Sequence, residues 1–300
     1  MTAKVILNPY SNRWNSQKRW PDAERALREA GVDFEVGLSE GPGHIAELTR
    51  QAIRAGFSPI IAAGGDGTIG EIVNAMAHEL ENSETLVPLG ILPMGTGNDL
   101  AYALKIPFDL AGAAKVIAAG KIQPMDMGKV NDRYFANNCA LGLEPYVTTI
   151  QAKITSIKGV ARYLLATVMA IMDRPSWQIR MEWDGGAFEG PISLVYVGNG
   201  PRTGGMFFMG PDADPFDGKL TVVYGYRATR RGMFALLPKT LKSGAGNYLE
   251  SEGIIEMTVT RLKVHLESPT PVHTDGEIIY TATQDVEYSI LPGRLQVFLP

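Results

Sequence analysis

Residues 60–71 read Ile-Ile-Ala-Ala-Gly-Gly-Asp-Gly-Thr-Ile-Gly-Glu: an apolar run, a glycine hinge carrying one carboxylate, then the opening of a helix. Gly64, Gly65 and Gly67 around Asp66 let the backbone approach a ligand where a Cβ would stand in the way. Thr68 follows at a helix start, whose unpaired N–H groups and positive dipole end attract phosphate. A carboxylate among phosphate-cradling amides repels the anion unless a metal or a proton donor mediates. Asp66 is therefore hard to explain as a mere turn residue, and the stretch points to nucleotide chemistry.

Working outward, the first 125 or so residues alternate short apolar runs with helix-like stretches. Lys4–Asn8, Phe34–Leu38, Pro59–Ala63 and Leu89–Leu92 read as strands. Asp22–Ala30, Ile45–Ala55, Ile69–Ala77, Asp99–Leu104 and Leu110–Ala119 read as helices. Such alternation predicts a doubly wound, Rossmann-like parallel sheet with helices on both faces, whose ligands sit at the carboxyl ends of the strands. The glycine-rich turns Asn8–Asn12, Ser39–Gly43, Gly64–Thr68 and Pro93–Asp99 all fall on that rim. From about Gly128 the texture becomes β-rich, with turn signals at Asn131-Asp132, Asp184-Gly185-Gly186, Asp217-Gly218 and Asp275-Gly276. Many short antiparallel strands suggest a sandwich or barrel-like second domain, interrupted by helices at Ile154–Met172 and Arg231–Leu241. The expected division is residues 1–127, residues 128–292, and a terminal strand within 293–300 that pattern assigns to neither.

The bulk composition agrees. The chain of 300 residues, 45% hydrophobic and 20% charged, is that of an ordinary globular protein with material for real cores. Its formal charge of −4 argues against reliance on nucleic-acid electrostatics. Cys139 is the only cysteine, which excludes an internal disulfide and a cysteine-based zinc site. The first nine residues read as a strand rather than a signal peptide, and no apolar run approaches the roughly 18–20 residues of a spanning helix.

Two familiar nucleotide motifs fail. Gly120-Lys121 lacks the upstream glycine and following hydroxyl of a P-loop. Gly41-Pro42-Gly43-His44-Ile45-Ala46 formally fits a dinucleotide fingerprint, but it follows the second strand and carries a proline inside the turn. Pro93-Met94-Gly95-Thr96-Gly97-Asn98-Asp99 is a second strand-to-helix turn. Capping by Asn98 or Asp99 explains one of its residues, but not two glycines, a threonine and both polar side chains together.

Asn8-Pro9, Gly-Gly-Asp-Gly-Thr at 64–68 with Glu71, Pro93–Asp99, Asp217-Gly218 and Asp275-Gly276-Glu277 occur in that order. On these elements the chain resembles, essentially end to end, a bacterial member of the diacylglycerol kinase family, relatives of the sphingosine and ceramide kinases. Gly-Gly-Asp-Gly-Thr is shared with NAD kinases and phosphofructokinases; the Gly-Thr-Gly-Asn-Asp element and the late Asp-Gly-Glu discriminate more. The resemblance implies an ATP cleft between the α/β domain and the β-rich domain. It implies that Asn8, Pro9, Tyr10, Ser11, Asn12, Ser39, Gly65, Asp66, Gly67, Thr68, Glu71 and Thr96 meet the nucleotide. Asp66 would act on the phosphates directly or through Mg²⁺, Asp99 would help order the site, and Glu277 would take the proton from a lipid hydroxyl. A structural Mg²⁺ would sit on the Asp217 carboxylate, with the main-chain oxygens of Asp214 and Lys219.

Two departures stand out. Ser11-Asn12-Arg13 replaces Ser-Gly and a basic residue, so Asn12 must adopt the backbone geometry that glycine supplies; Arg13, Lys18 and Arg19 become candidate phosphate contacts. Tyr102 stands where some relatives place an arginine. The expected partners are a membrane lipid substrate, a bilayer contacted peripherally from the cytoplasmic face, and a second copy in a homodimer; no nucleic acid is expected. Three apolar segments are expected to serve the lipid: Ile154–Met169 and Met233–Leu237, each with basic flanks, and the glycine-hinged Gly204–Met209. The rivals are an NAD kinase-like enzyme and a nucleotide- or lipid-binding regulator without catalysis.

Overall fold

Five-residue apolar strands buried along their length need cover on both faces, and three of the first four strands are largely of that kind. The computed structural model describes residues 2–300 except 13–14, 155–156, 158–159 and 174–175. Strands β1 (Ala3–Leu7), β2 (Phe34–Leu38), β3 (Ile60–Gly64) and β4 (Leu89–Pro93) form a parallel sheet in the order β2-β1-β3-β4. Helices α1 (Asn15–Glu29), α2 (His44–Arg54), α3 (Asp66–Glu79), α4 (Asp99–Ala103) and α5 (Leu110–Ala119) connect and cover it. The chain leaves β1 toward β2 on one side and β3 lies on the other. The topological switch point therefore falls at the carboxyl ends of β1 and β3, where open α/β sheets bind ligands.

The β-rich remainder comprises β5 (Ile122–Val130), β6 (Arg133–Phe135), β7 (Asn138–Gly142), β8 (Trp177–Trp183), β9 (Gly186–Ile192), β10 (Leu194–Gly198), β11 (Leu220–Gly225), β12 (Ile254–Val259), β13 (Arg261–Thr274) and β14 (Glu277–Phe298). All of these pair antiparallel with one another. The terminal strand that pattern left unassigned is the end of β14. Its Val297 pairs parallel with Leu89 of β4, and Leu295–Phe298 pair antiparallel with Met125–Ile122 of β5. Residues 277–298 thus form one strand across stretches that sequence pattern reads as separate. Their separating turn signals are irregularities in the ladder, one of them at Pro292-Gly293 between Leu291 and Leu295, where an extra residue bends a strand without ending it. One core (Ile6, Leu27, Ile61, Ile72, Leu89, Val297) lies under the parallel sheet, and a second (Leu141, Val195, Val222, Leu262, Val264, Tyr288) lies within the β-rich part.

The expected helix Ile154–Met172 is corrected to α7 (Val160–Asp173), and a helix not expected, α6 (Leu143–Lys153), precedes it. Four positions of that expectation, 155, 156, 158 and 159, lie outside the described residues. Helix α6 escapes sequence reading because Val147, Thr148, Thr149 and Ile150 are β-branched and of modest helix propensity. Its Pro145 is harmless in the first turn, where no intrahelical partner for an N–H exists. The expected helix Arg231–Leu241 ends early, as α8 (Arg230–Leu236), and Pro238 precedes a separate 3₁₀ turn at Lys239–Leu241. Helix α1 begins at Asn15, not Asp22, and carries Pro21 inside it.

Candidate active site

The rim of the parallel sheet is closed by short polar links between its turns. Asn8 Nδ2 donates to Thr68 Oγ1 at 3.0 Å, and the Ser11 hydroxyl lies 3.1 Å from the same oxygen. Thr96 Oγ1 donates to Asn12 Oδ1 at 3.2 Å. Asn12 sits at φ 49°, the left-handed region that asparagine tolerates better than most residues. Gly65 and Gly95 bring the β3–α3 and β4–α4 turns together: a Cβ on Gly95 would stand 2.3 Å from Gly65 Cα. Other expected contacts are spent differently. Pro9 is buried, Tyr10 Oη donates to the Glu40 carbonyl at 2.9 Å, and buried Ser39 donates to the Gly41 carbonyl. Arg19 reaches the Pro93 carbonyl at 3.4 Å, Lys18 is exposed, and Arg13 lies outside the described residues.

Asp66 does two things at once. Its Oδ1 accepts the N–H groups of Asp99 (2.6 Å) and Leu100 (3.2 Å), capping α4 from a different turn. Its Oδ2 points toward Gly97, where a Cβ would come within 2.9 Å of it and 3.0 Å of Asp99 Oδ2. Burial raises the Asp66 carboxyl above the usual range, against the backbone hydrogen bonds that lower it. Asp99, 4% exposed, is pushed up to about 7 by burial and then by the Asp66 charge, with Arg202 opposing. Sequence reading missed Arg202. Its Nε donates to Asp99 Oδ1 at 2.7 Å, its Nη2 reaches the Gly97 carbonyl at 3.1 Å, and its guanidinium stacks 4.0 Å from the Tyr102 ring. Gly205 N–H also donates to Asp99. Tyr102 therefore holds the arginine that clamps the β-rich part onto the β4–α4 turn.

Breaking a buried ion pair at one partner typically costs about 3–5 kcal/mol. We expect Arg202→Met to lose about 3 kcal/mol in urea unfolding near pH 8, where Asp99 must either stay charged and unpaired or bind a proton that the paired carboxylate does not hold. Near pH 6 the loss should shrink, because Asp99, whose pKa rises further without Arg202, takes up a proton. Equal losses at both pH values would show that charge pairing contributes nothing here.

The hairpin between β13 and β14 aims Glu277 at this rim. Thr274 pairs with Glu277 across a two-residue turn whose Asp275 and Gly276 have φ 48° and 85°, the geometry of a type I′ turn. The Asp275 carboxylate, fully within the protein, accepts the N–H groups of Ala136 (3.0 Å), Asn137 (2.9 Å) and Asn138 (3.0 Å). Burial leaves it at about 6 despite those bonds. Glu277 is pushed up to about 7 by burial, then by Glu71, with Arg133 opposing. With 42% of its side chain accessible, solvent tempers that shift. Arg133 Nη2 lies 3.6 Å from Glu277 Oε2, and burial also raises Glu71, against Arg133. Three of the expected residues, Gly67, Glu71 and Glu277, thus meet around an arginine that no motif announces.

Gly67 is the contact point. A Cβ there would stand 2.9 Å from Glu277 Oε1, so Gly67→Ala must displace the carboxylate. The change favours helix α3 by up to ~1 kcal/mol and misplaces the reacting group. The melting temperature should hold or rise while kcat falls on the order of 10- to 100-fold; unimpaired turnover would place Glu277 away from the chemistry.

The expected metal loop lies before β11, and its residues do not line the cleft. Asp214 accepts the Phe216 N–H and Asp217 accepts the Lys219 N–H, both as local turns, and both carboxylates are exposed. Asp126 on β5, absent from the sequence expectations, anchors the loop by accepting Gly218 N–H (2.6 Å) and Gly293 N–H (2.8 Å). Among the described residues no group of three or more His, Cys, Asp or Glu is arranged to hold a metal ion by itself. A donor set of one exposed carboxylate and main-chain oxygens fits a cation that keeps most of its waters, as Mg²⁺ does.

Beyond Asp66, Gly67, Asp99 and Gly276 the cleft continues past Asn137 and Asn138 to Glu144, Tyr163, Thr203 and Phe207. Those last four also line an apolar cavity closed by Val147, Ile171, Met209, Met233, Leu236 and Tyr248. The segment Gly204–Met209 and helix α8 therefore build a pocket wall, with Phe207, Met209 and Met233 buried.

A family model described as the diacylglycerol kinase catalytic domain matches residues 2–130, and one described as the YegS C-terminal NAD kinase beta sandwich-like domain matches residues 137–299. Proteins named diacylglycerol kinase from Staphylococcus aureus strains bovine RF122 / ET3-1 and MRSA252 are each 29% identical over 299 residues, 99% of this chain and 92% of theirs. A crystal structure of a diacylglycerol kinase from Bacillus anthracis str. Sterne superposes with a TM-score of 0.75 at 22% identity, covering 100% of this chain and 97% of that one. That likeness speaks for the fold. Two models spanning nearly the whole chain, with the cleft between their matches, place this protein among the kinases of the diacylglycerol kinase family.

Proposed function

We propose that the protein is an ATP- and Mg²⁺-dependent kinase that phosphorylates the hydroxyl of a membrane lipid, diacylglycerol to phosphatidic acid being the reaction its relatives' names suggest. The observation that carries this reading is continuity. One cleft joins a helix N-terminus ringed by glycines, the Asp66 and Asp99 carboxyls that burial raises, and an apolar cavity, with Glu277 at its edge against Gly67.

The nucleotide would lie along Asn8–Asn12, Ser39, Gly65–Glu71 and Thr96, with its phosphates at the amino end of α3. Phosphoryl transfer asks for positioning and charge neutralisation more than for covalent help. Asp66 Oδ2, the oxygen free of α4, would face the phosphates, and Asp99 with Arg202 would hold that turn in place. Bound Mg²⁺ would supply neutralising charge at the phosphates, and Asp217 with the main-chain oxygens of Asp214 and Lys219 would hold a second, structural ion. The lipid oxygen attacks the γ-phosphorus, the bond to the β–γ bridging oxygen breaks, and Glu277 receives the hydroxyl proton.

Among the described residues no helix is long and apolar enough to cross a membrane. Helix α7 instead exposes Leu164, Leu165, Val168, Met169 and Met172 along one face. Arg230 Nε donates to the Met172 carbonyl at 2.7 Å, and Arg230 and Arg231 are exposed beside the stripe. An apolar face bordered by basic residues suits an anionic bilayer surface, and peripheral contact there would bring lipid to the cavity.

The test is transfer of labelled γ-phosphate from Mg·ATP to a lipid panel in mixed micelles, with NAD as a further acceptor. Label on a lipid supports the reading. Label on NAD alone moves the protein to dinucleotide phosphorylation, and no label on any acceptor overturns it.

A further inference from the structure

The neck between the apolar cavity and the phosphoryl cleft is polar, and several of its polar atoms are unpaired. Glu144, in the first turn of α6, is 8% exposed, and His273 on β13 is 2% exposed. Val272 and Leu141 enter the core of the β-rich part, so by strand alternation His273 and its partner Ala140 face the other side, toward the cleft. Thr203 Oγ1 donates to Glu144 Oε1 at 2.6 Å, and His273 Nε2 lies 3.1 Å from that same oxygen, outside hydrogen-bond geometry. Glu144 Oε2 and both ring nitrogens of His273 have no hydrogen-bond partner among the described residues.

Two amides extend this wall. Asn137 and Asn138 both turn their Nδ2 groups to the Arg202 carbonyl, at 2.9 and 3.3 Å. A carbonyl accepts only from nitrogen, so the amide orientations are fixed and the Oδ1 atoms are left as acceptors, again buried and unpaired. Glu144 Oε2 and Asn138 Oδ1 are therefore unpaired acceptors at this neck, whereas Asn137 Oδ1 is turned toward Gly200. Each such buried group costs about 1–3 kcal/mol when left unsatisfied, so the ligand that fits must bring donors.

We propose that Glu144, flanked by Thr203 and His273, is a specificity site that reads a second hydrogen-bond donor on the acceptor lipid, a hydroxyl or amide N–H close to the hydroxyl that is phosphorylated. This rests on the lipid kinase reading and narrows its acceptor. A diacylglycerol brings one hydroxyl, the reacting one; its ester oxygens can accept from the His273 ring but leave the Glu144 and Asn138 oxygens unpaired. A monoacylglycerol or a ceramide brings a further donor. Sites built to hydrogen-bond a substrate group discriminate strongly against analogues lacking it, because their own polar groups are then left unpaired.

The experiment compares kcat/KM of the full chain for 1,2-diacylglycerol, monoacylglycerol and ceramide in the same micelles, with Glu144→Leu and Glu144→Gln alongside. The unaltered enzyme is expected to favour a donor-bearing lipid by about tenfold or more, one hydrogen bond's worth. Glu144→Leu should collapse that ratio, chiefly through KM. Glu144→Gln, which keeps an acceptor oxygen, should preserve it within about threefold. No preference in the unaltered enzyme overturns the proposal, whether or not the leucine variant folds. So does a ratio unmoved by Glu144→Leu while both activities fall together, which is a structural role. An unaltered enzyme that labels no lipid overturns the kinase reading, and this inference with it.

Discussion

Asp66→Asn is expected to reduce kcat by about 10²- to 10³-fold, the usual consequence of removing one electrostatic stabiliser, while urea unfolding changes little. Asparagine is the informative replacement because Asp66 has a structural task. Its Oδ1 caps α4 through the Asp99 and Leu100 amides, and an asparagine oxygen can accept the same bonds. Asp66→Ala removes the cap as well and should cost about 1 kcal/mol of stability. Neutralising Asp66 also takes away a charge that raises Asp99, so the Asp99–Arg202 pair should tighten in the asparagine variant. Wild-type turnover in Asp66→Asn would assign Asp66 to capping alone. A large loss of stability in that variant would instead mean that its charge is needed by the fold.

Glu277→Gln should lower kcat by about 10²- to 10⁴-fold, the range for a positioned general base, and leave nucleotide KM nearly unchanged. The pH profile makes the role specific. A base works when deprotonated, and Glu277 is raised to about 7. The activity of the unaltered enzyme should therefore rise with pH through that region and level off above it. The glutamine variant should lose this limb. Arg133 lowers the Glu277 pKa, so removing its charge should move the limb to higher pH. An unchanged kcat, or a limb that persists in Glu277→Gln, removes Glu277 as the base.

The glycine-rich turns on the rim of the parallel sheet were legible because they use a small residue alphabet for steric reasons. Gly65, Gly67, Gly95 and Gly97 occupy places where a Cβ would stand 2.9 Å or less from its nearest neighbour, and Asn12 takes the left-handed conformation its departure from glycine demanded. The Asp-Gly before Glu277 announced its hairpin through the positive φ that both turn residues need. Arg202, Arg133, Glu144 and Asp126 were not legible. Each is a single charged residue without a spacing partner, and each acquires its role from a residue 59 or more positions away in the chain. Helix α6 was missed for the related reason that tertiary packing overrode weak local propensity.

The sequence by itself determined the parallel sheet, the switch-point turns and the family, because those follow from short-range periodicity and from glycines that sterics make irreplaceable. Only the tertiary structure decided that Asp66 caps α4, that Arg202 ties the two parts of the cleft, and that buried acceptors line the way to the apolar cavity. Burial and pairing are properties of distance in space, and distance in space is set by how far strand β14 runs through its irregularities, from the β-rich part to β4, which no local pattern encodes.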